Sequence, residues 1–106
     1  MLILFDHGAP APLAPYLIGH AVVKARDRGW DRLSNGDLLG EAERAGFEVF
    51  LTADKNIRYQ QNLAGRRIAI VLLSTPQWPP VRLHVVRIVA AVNAAALGGF
   101  FEAQVP

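Results

Sequence analysis

The 106-residue chain has no cysteine, which excludes a disulfide scaffold, a thiolate nucleophile and a cysteine-ligated zinc or iron–sulfur site. Any metal ion must therefore be bound by oxygen or histidine. The sequence also lacks the run of about 18 consecutive apolar residues that a membrane-spanning helix needs. Its start, MLILFDHGAP, has no basic region before the apolar stretch and is unlike a signal peptide. We therefore expect a cytoplasmic protein without a membrane segment.

Acidic residues are scarce in the second half of the chain. Residues 1–52 carry seven acidic and five basic side chains, whereas residues 53–106 carry two and six. Arginine, which accounts for nine of the eleven cations, can bind a phosphate through two parallel hydrogen bonds. The asymmetry favours a nucleic acid or another phosphate as the partner, and an ordinary solvated surface is the alternative.

Short apolar runs alternate with helical patterns along the chain. With 52% hydrophobic residues and this length, the sequence predicts one domain spanning residues 1–106. Strands are predicted at residues 2–5, 20–25, 47–51 and 68–73, with a short edge strand from residue 100. Helices are predicted at residues 11–17, 34–46, 57–63 and 81–96.

This alternation predicts a three-layer α/β/α domain in which helices cover both faces of a parallel sheet of four to five strands. If the first, most apolar strand is central, the strand order is 2-1-3-4-5. The topological switch point then lies between strands 1 and 3, and ligands of such folds bind beyond the carboxyl ends of the strands at that point.

Two carboxylates are expected to meet at this switch point, because Asp6 follows strand 1 and Asp54 follows strand 3. Asp37 and Glu41 share a stripe of the helix that begins near Ser34. Carboxylates gathered in this way repel one another unless a divalent cation neutralises them, and oxygen ligands favour Mg²⁺ or Mn²⁺. Such an ion could stabilise charge on a phosphodiester during hydrolysis.

Each acid also has a purely structural interpretation. Asp6 could cap the turn after its strand, and Asp54 could cap the short helix that follows it. Asp37 lies in the first turn of a helix, where the helix dipole favours a carboxylate whatever the function.

Cations and an aromatic residue follow Asp54 in the chain. Arg58, Tyr59 and Arg67 are residue types that an RNA or single-stranded DNA groove uses for phosphate contacts and base stacking. The alternative is a polar helix face.

Three segments together resemble small PIN-like proteins related to VapC-type toxins: LILFDHGAP, RLSNGDLLGEAERAGFEVFLTADKNI and RRIAIVLLST. Proteins of this family are typically Mg²⁺- or Mn²⁺-dependent ribonucleases. The resemblance implies that Asp6 and Asp54 are metal ligands and catalytic residues. The middle ligand would be Asp37, with Asn35 and Glu41 as alternatives. Ser74 and Thr75 stand where some relatives carry another aspartate.

The resulting hypothesis is a metal-dependent ribonuclease, the toxin of a toxin-antitoxin pair, with RNA as substrate and with an antitoxin or a second copy as protein partner. Its proposed site residues are Asp6, Asp37 and Asp54 on Mg²⁺ or Mn²⁺, and Asn35, Arg58, Arg67 and Thr75 on the substrate or water. The alternative is a PIN-like domain that has lost catalysis and only binds nucleic acid or a protein. A phosphoacceptor receiver domain is a further alternative, although the chain lacks the paired acids and the late lysine of receivers.

Overall fold

The computed structural model describes residues 1–57, 66–95 and 98–106. Within this part, five parallel strands form a sheet in the order β2-β1-β3-β4-β5. The strands are β1 (Leu2–Phe5), β2 (Ala21–Lys24), β3 (Val49–Thr52), β4 (Ala69–Leu73) and β5 (Phe100–Ala103). The predicted strand order and three-layer α/β class are confirmed.

Helices flank both faces of the sheet. The chain forms a first 3₁₀ helix (Ala11–Tyr16), a second 3₁₀ helix (Ala25–Arg28) and the α-helices α1 (Asn35–Arg44), α2 (Trp78–Leu83) and α3 (Val85–Ala94). The first 3₁₀ helix, α2 and α3 bury side chains against one face, and α1 packs on the other. The helix predicted over residues 57–63 lies outside the described residues except for Ile57, which is buried on the α1 side.

The alternation of side chains along each strand decides which half of the core a side chain enters. Successive residues of a strand point to opposite faces, so Ile3 and Phe5 belong to one half of the core and Leu4 to the other. The strands β1, β3 and β4 are almost wholly apolar because they lie inside the sheet and are covered on both faces. As predicted, β2 is at an edge of the sheet and is only partly buried.

Both ends of α1 form as the sequence predicts. The Ser34 hydroxyl oxygen accepts a hydrogen bond from the backbone N–H of Asp37 at 3.3 Å and so caps the amino end. At the carboxyl end Gly46 has a φ of 88°, in the left-handed region that favours glycine. The N–H of Gly46 bonds to the Glu43 carbonyl and that of Phe47 to the Ala42 carbonyl, which is the Schellman pattern.

The single helix predicted over residues 81–96 is two helices in the structure. It begins three residues earlier, at Trp78, since Pro79 and Pro80 occupy the first turn, where a missing N–H costs no helical hydrogen bond. The chain leaves helical geometry at His84, which has φ −122° and ψ 25°. The N–H of His84 bonds to the Val81 carbonyl, three residues back, and this tighter bond ends α2 before α3 begins.

Glu43 joins α1 to the chain entering β4. Its Oε2 accepts hydrogen bonds from the N–H groups of Arg67 at 2.5 Å and Ile68 at 3.2 Å, and its Oε1 lies 3.5 Å from Nη1 of Arg66. Desolvation raises the pKa of Glu43, but these N–H groups and the guanidinium outweigh it, so the pKa lies below its usual value.

We expect Glu43→Gln to lower the free energy of unfolding by about 1 kcal/mol at pH 7, because a glutamine oxygen replaces a charged acceptor on a side chain that is partly exposed. Because the pKa of Glu43 is lower in the folded state, its charge stabilises the fold at pH values above the unfolded-state pKa of about 4.3. That stability is lost as the pH falls through the folded-state pKa. The difference between variant and wild type should therefore shrink in urea titrations below pH 4. Glu41→Gln, at the exposed ion pair with Arg44, is the control and should change little at either pH. If Glu43→Gln lowered the free energy of unfolding equally at pH 7 and below pH 4, the stabilising role of the Glu43 charge would be contradicted.

Candidate functional site

Neighbouring strands β1 and β3 end at the same edge of the sheet. Phe5 is opposite Leu51 in the register, and the N–H of Asp6 donates to the Leu51 carbonyl at 3.1 Å. The chain leaving β1 continues to β2 on one side, whereas the chain leaving β3 continues to β4 on the other. The edge between β1 and β3 is therefore the topological switch point of the sheet.

The Asp6 carboxylate is buried at this point, with 7% of the residue exposed. Its Oδ1 accepts the backbone N–H groups of Gly8 and Ala9, each at 3.0 Å, and its Oδ2 accepts the hydroxyl of Thr52. Desolvation raises the pKa of Asp6, and the three hydrogen bonds and the charge of His7 only partly oppose it. A divalent cation beside this carboxylate would favour its charged form. Asp6 also caps the turn after β1, so its structural interpretation holds as well.

Thr52 connects Asp6 to Asp54. The Thr52 hydroxyl oxygen accepts the N–H of Asp54 at 3.0 Å while its proton is donated to Asp6. The Asp54 carboxylate accepts the N–H of Asn56 on Oδ1 at 3.0 Å and the side-chain amide of Asn35 on Oδ2 at 2.7 Å. We call Asp6, Asn35, Thr52 and Asp54 the switch-point cluster. It joins the ends of two strands to the first residue of α1.

Asp37 is exposed, and the hydrogen bond that it makes to Ser34 comes from its backbone N–H. Within residues 1–57, 66–95 and 98–106, no three His, Asp or Glu side chains lie close enough together to hold a metal ion. The oxygen ligands that the cluster offers are the carboxylates of Asp6 and Asp54 and the amide oxygen of Asn35. This set fits Mg²⁺, which usually keeps several waters and takes one or two carboxylates together with substrate phosphate oxygens.

The other predicted substrate-binding residues are dispersed. Arg67 is exposed and precedes β4, so it lies at the amino edge of the sheet, opposite the switch-point cluster. Thr75 follows β4 at the carboxyl edge, where its hydroxyl oxygen accepts the N–H of Gln77 at 3.2 Å. Arg58 lies outside the described residues.

A cleft of about 270 Å³ opens beside Asp6, above the ends of β1 and β2. Its polar lining consists of Asp6, His7, Lys24, Arg26 and Asp31. The His7 ring lies at the cleft with Nε2 3.3 Å from the Leu33 carbonyl oxygen. We call this space the β1–β2 cleft.

Sequence reasoning assigned no role to Thr52, Lys24 or Arg26. Thr52 could have been noticed, since it is the last residue of a strand otherwise composed of Val, Phe and Leu, two positions before Asp54. Lys24 and Arg26 offered no such signal, because a cation at the end of an edge strand is ordinary. Only the pairing of β2 with β1 brings them to the cleft beside Asp6.

Fold and site together define a three-layer α/β protein whose polar cluster lies at the switch point of a parallel sheet. Comparison with protein-family models, curated proteins and solved structures finds no match to this chain. Among the described residues, no helix is both long and apolar enough to cross a membrane.

Proposed function

We propose that the protein is a Mg²⁺- or Mn²⁺-dependent ribonuclease of PIN-like type. The observation that carries the proposal is the switch-point cluster, in which the Thr52 hydroxyl bonds to the carboxylate of Asp6 and to the backbone N–H of Asp54, while Asn35 holds the Asp54 carboxylate. Asp6 and Asp54 would hold the cation, which supplies charge stabilisation and an activated water for phosphodiester hydrolysis. Asn35 orients Asp54 through its amide.

The toxin role, an antitoxin or a second copy as protein partner, and a cytoplasmic location belong to the same proposal. They are supported by the resemblance of the sequence to PIN-like toxins. In the same proposal Thr75, at the carboxyl edge of the sheet, positions water or substrate.

A binding protein without catalytic activity is the second candidate. It is favoured by one observation, namely that in the described part of the chain no third acidic side chain joins Asp6 and Asp54. Such a protein would bind RNA with an affinity that falls steeply with salt and does not change when a chelator is added.

Calorimetric titration with Mn²⁺ tests the metal site. We expect wild-type protein to bind Mn²⁺ and Asp6→Asn and Asp54→Asn to lose more than about a hundredfold in affinity, because loss of an outer partner of a ligand alone costs about 10–100-fold. Asp37→Asn should stay within about threefold of wild type, since the Asp37 carboxylate is exposed and makes no hydrogen bond to the cluster in the described structure. Equal affinities for wild type, Asp6→Asn and Asp54→Asn would contradict the site.

A further inference from the structure

Two cations reach the β1–β2 cleft from the end of the edge strand. Lys24 is the last residue of β2 and is paired in register with Phe5, directly before Asp6. Arg26 follows in the second 3₁₀ helix. Both line the cleft together with the Asp6 carboxylate. The parallel pairing of β1 and β2 thus places two positive charges next to the switch-point cluster.

In the part of the chain that the structure describes, neither of these cations forms an ion pair. The ion pairs of the described residues involve Arg44 and Arg66, and no carboxylate lies within 4 Å of the Lys24 or Arg26 charge there. Lys24 is partly buried, so its charge is partly shielded from water and an anionic partner is favourable there, whereas Arg26 is exposed.

The two carboxylates that line the cleft, Asp6 and Asp31, do not pair with these cations. Asp6 accepts three hydrogen bonds from its own surroundings, two from backbone N–H groups and one from Thr52. Asp31 is exposed, and its charge is screened by solvent. Among the described residues neither carboxylate forms an ion pair with Lys24 or Arg26, so both cations are available to an anionic ligand.

We propose that the β1–β2 cleft binds one backbone phosphate of a single-stranded RNA through Lys24 and Arg26. The inference rests on the proposed ribonuclease function for the nature of the ligand. A volume of about 270 Å³ is slightly below the range of about 300–1,000 Å³ typical of ligand pockets, so it suits one phosphate with its sugar. In this proposal Lys24 and Arg26 make the phosphate contact that the sequence analysis assigned to Arg67, which lies at the opposite edge of the sheet.

The test is fluorescence anisotropy of a short fluorescein-labelled single-stranded RNA, measured in EDTA so that no metal-dependent cleavage occurs. We expect Lys24→Gln/Arg26→Gln to weaken binding by about tenfold or more, since hydrogen bonds to charged groups are the strong ones. The slope of log affinity against log salt should become shallower by about 0.7 for each phosphate that the variant no longer neutralises. The matched control, Arg82→Gln/Arg87→Gln, removes two exposed cations of α2 and α3 that do not line the cleft, and should stay within about twofold of wild type.

Equal weakening by the two double variants would overturn the inference, because binding would then depend on net charge alone. Absence of RNA binding by wild-type protein would overturn it too. Thermal unfolding of every variant verifies that a loss of affinity is not a loss of folded protein.

The result is separable from that of the metal titration. Mn²⁺ binding with RNA affinity unaffected by Lys24→Gln/Arg26→Gln would refute the cleft and leave the metal site standing. Cleft-dependent RNA binding without Mn²⁺ binding would support the cleft and refute the nuclease.

Discussion

Asp6→Asn and Asp54→Asn should each lower the rate of Mn²⁺-dependent RNA cleavage by about a thousandfold or more. A bound divalent ion contributes several kcal/mol of charge stabilisation to phosphodiester hydrolysis, and about 4 kcal/mol corresponds to a thousandfold change in rate. Both substitutions remove a charge from the switch-point cluster while preserving the shape of the side chain. Single-turnover cleavage of a labelled RNA measures the effect. The control Asp27→Asn removes an exposed carboxylate that lies outside the cluster and the cleft, and should cleave at the wild-type rate.

Asp6→Asn should also remain folded without metal. Its amide oxygen can still accept the N–H groups of Gly8 and Ala9, as Oδ1 of Asp6 does. Because burial raises the pKa of Asp6, the stability linked to its protonation is present at low pH and is lost as the pH rises through the folded-state pKa. At pH 7 the loss of the buried charge should therefore offset the cost of replacing Oδ2, which accepts the Thr52 hydroxyl, by an amide nitrogen, and the variant should remain folded in urea titrations. Unimpaired cleavage by either folded variant would refute the assigned role of that aspartate.

Thr52→Val should weaken both the metal site and the fold. Valine fills nearly the same volume, but it removes the hydroxyl that donates to Asp6 and accepts from the N–H of Asp54. Thr52 is fully buried, so polar groups left without partners should cost about 1–3 kcal/mol in the free energy of unfolding. Because Thr52 orients Asp6 and Asp54 and touches no substrate, it is a positioning residue, and Mn²⁺ affinity should fall by about 10–100-fold.

Thr52→Ser is the matched control, since it keeps the hydroxyl and deletes one methyl group. Its Mn²⁺ affinity should stay close to that of wild type, even though a small cavity lowers its stability. Comparing the valine and serine variants separates the effect of orienting the carboxylates from the effect of core packing. A serine variant as defective as the valine variant in Mn²⁺ binding would show that the hydroxyl does not position the two carboxylates.

The sheet was predictable because its signals are local and mutually consistent. The buried strands β1, β3 and β4 are continuous apolar runs, and short connections between strand and helix patterns indicate parallel order. The cap at Ser34 and the stop at Gly46 were readable for the same reason, because each depends on a few neighbouring residues. The break at His84 was not readable, because the Val and Ile spacing continues through it.

The candidate site was predictable where its residues directly follow strands, as Asp6 and Asp54 do, or begin a helix with a clear cap, as Asn35 does. The Asp6 carboxylate meets Thr52, two residues before Asp54, because β1 and β3 are neighbours, a consequence of the strand order. Arg67 shows the limit of this reasoning, since closeness to Asp54 in sequence does not tell which edge of the sheet a residue occupies. The positions of Lys24 and Arg26 depend on the register of β2 against β1, which no local pattern specifies.

Whether the switch-point cluster makes this chain a metal-dependent ribonuclease is decided by a single cleavage assay. Purified wild-type protein is incubated with single-stranded RNA in Mn²⁺ and in EDTA, and Asp6→Asn in Mn²⁺ serves as the inactive reference. We expect cleavage by wild type in Mn²⁺, loss of cleavage in EDTA and none above background with Asp6→Asn. Cleavage that persists in EDTA, or equal product from wild type and Asp6→Asn, would contradict the proposed function.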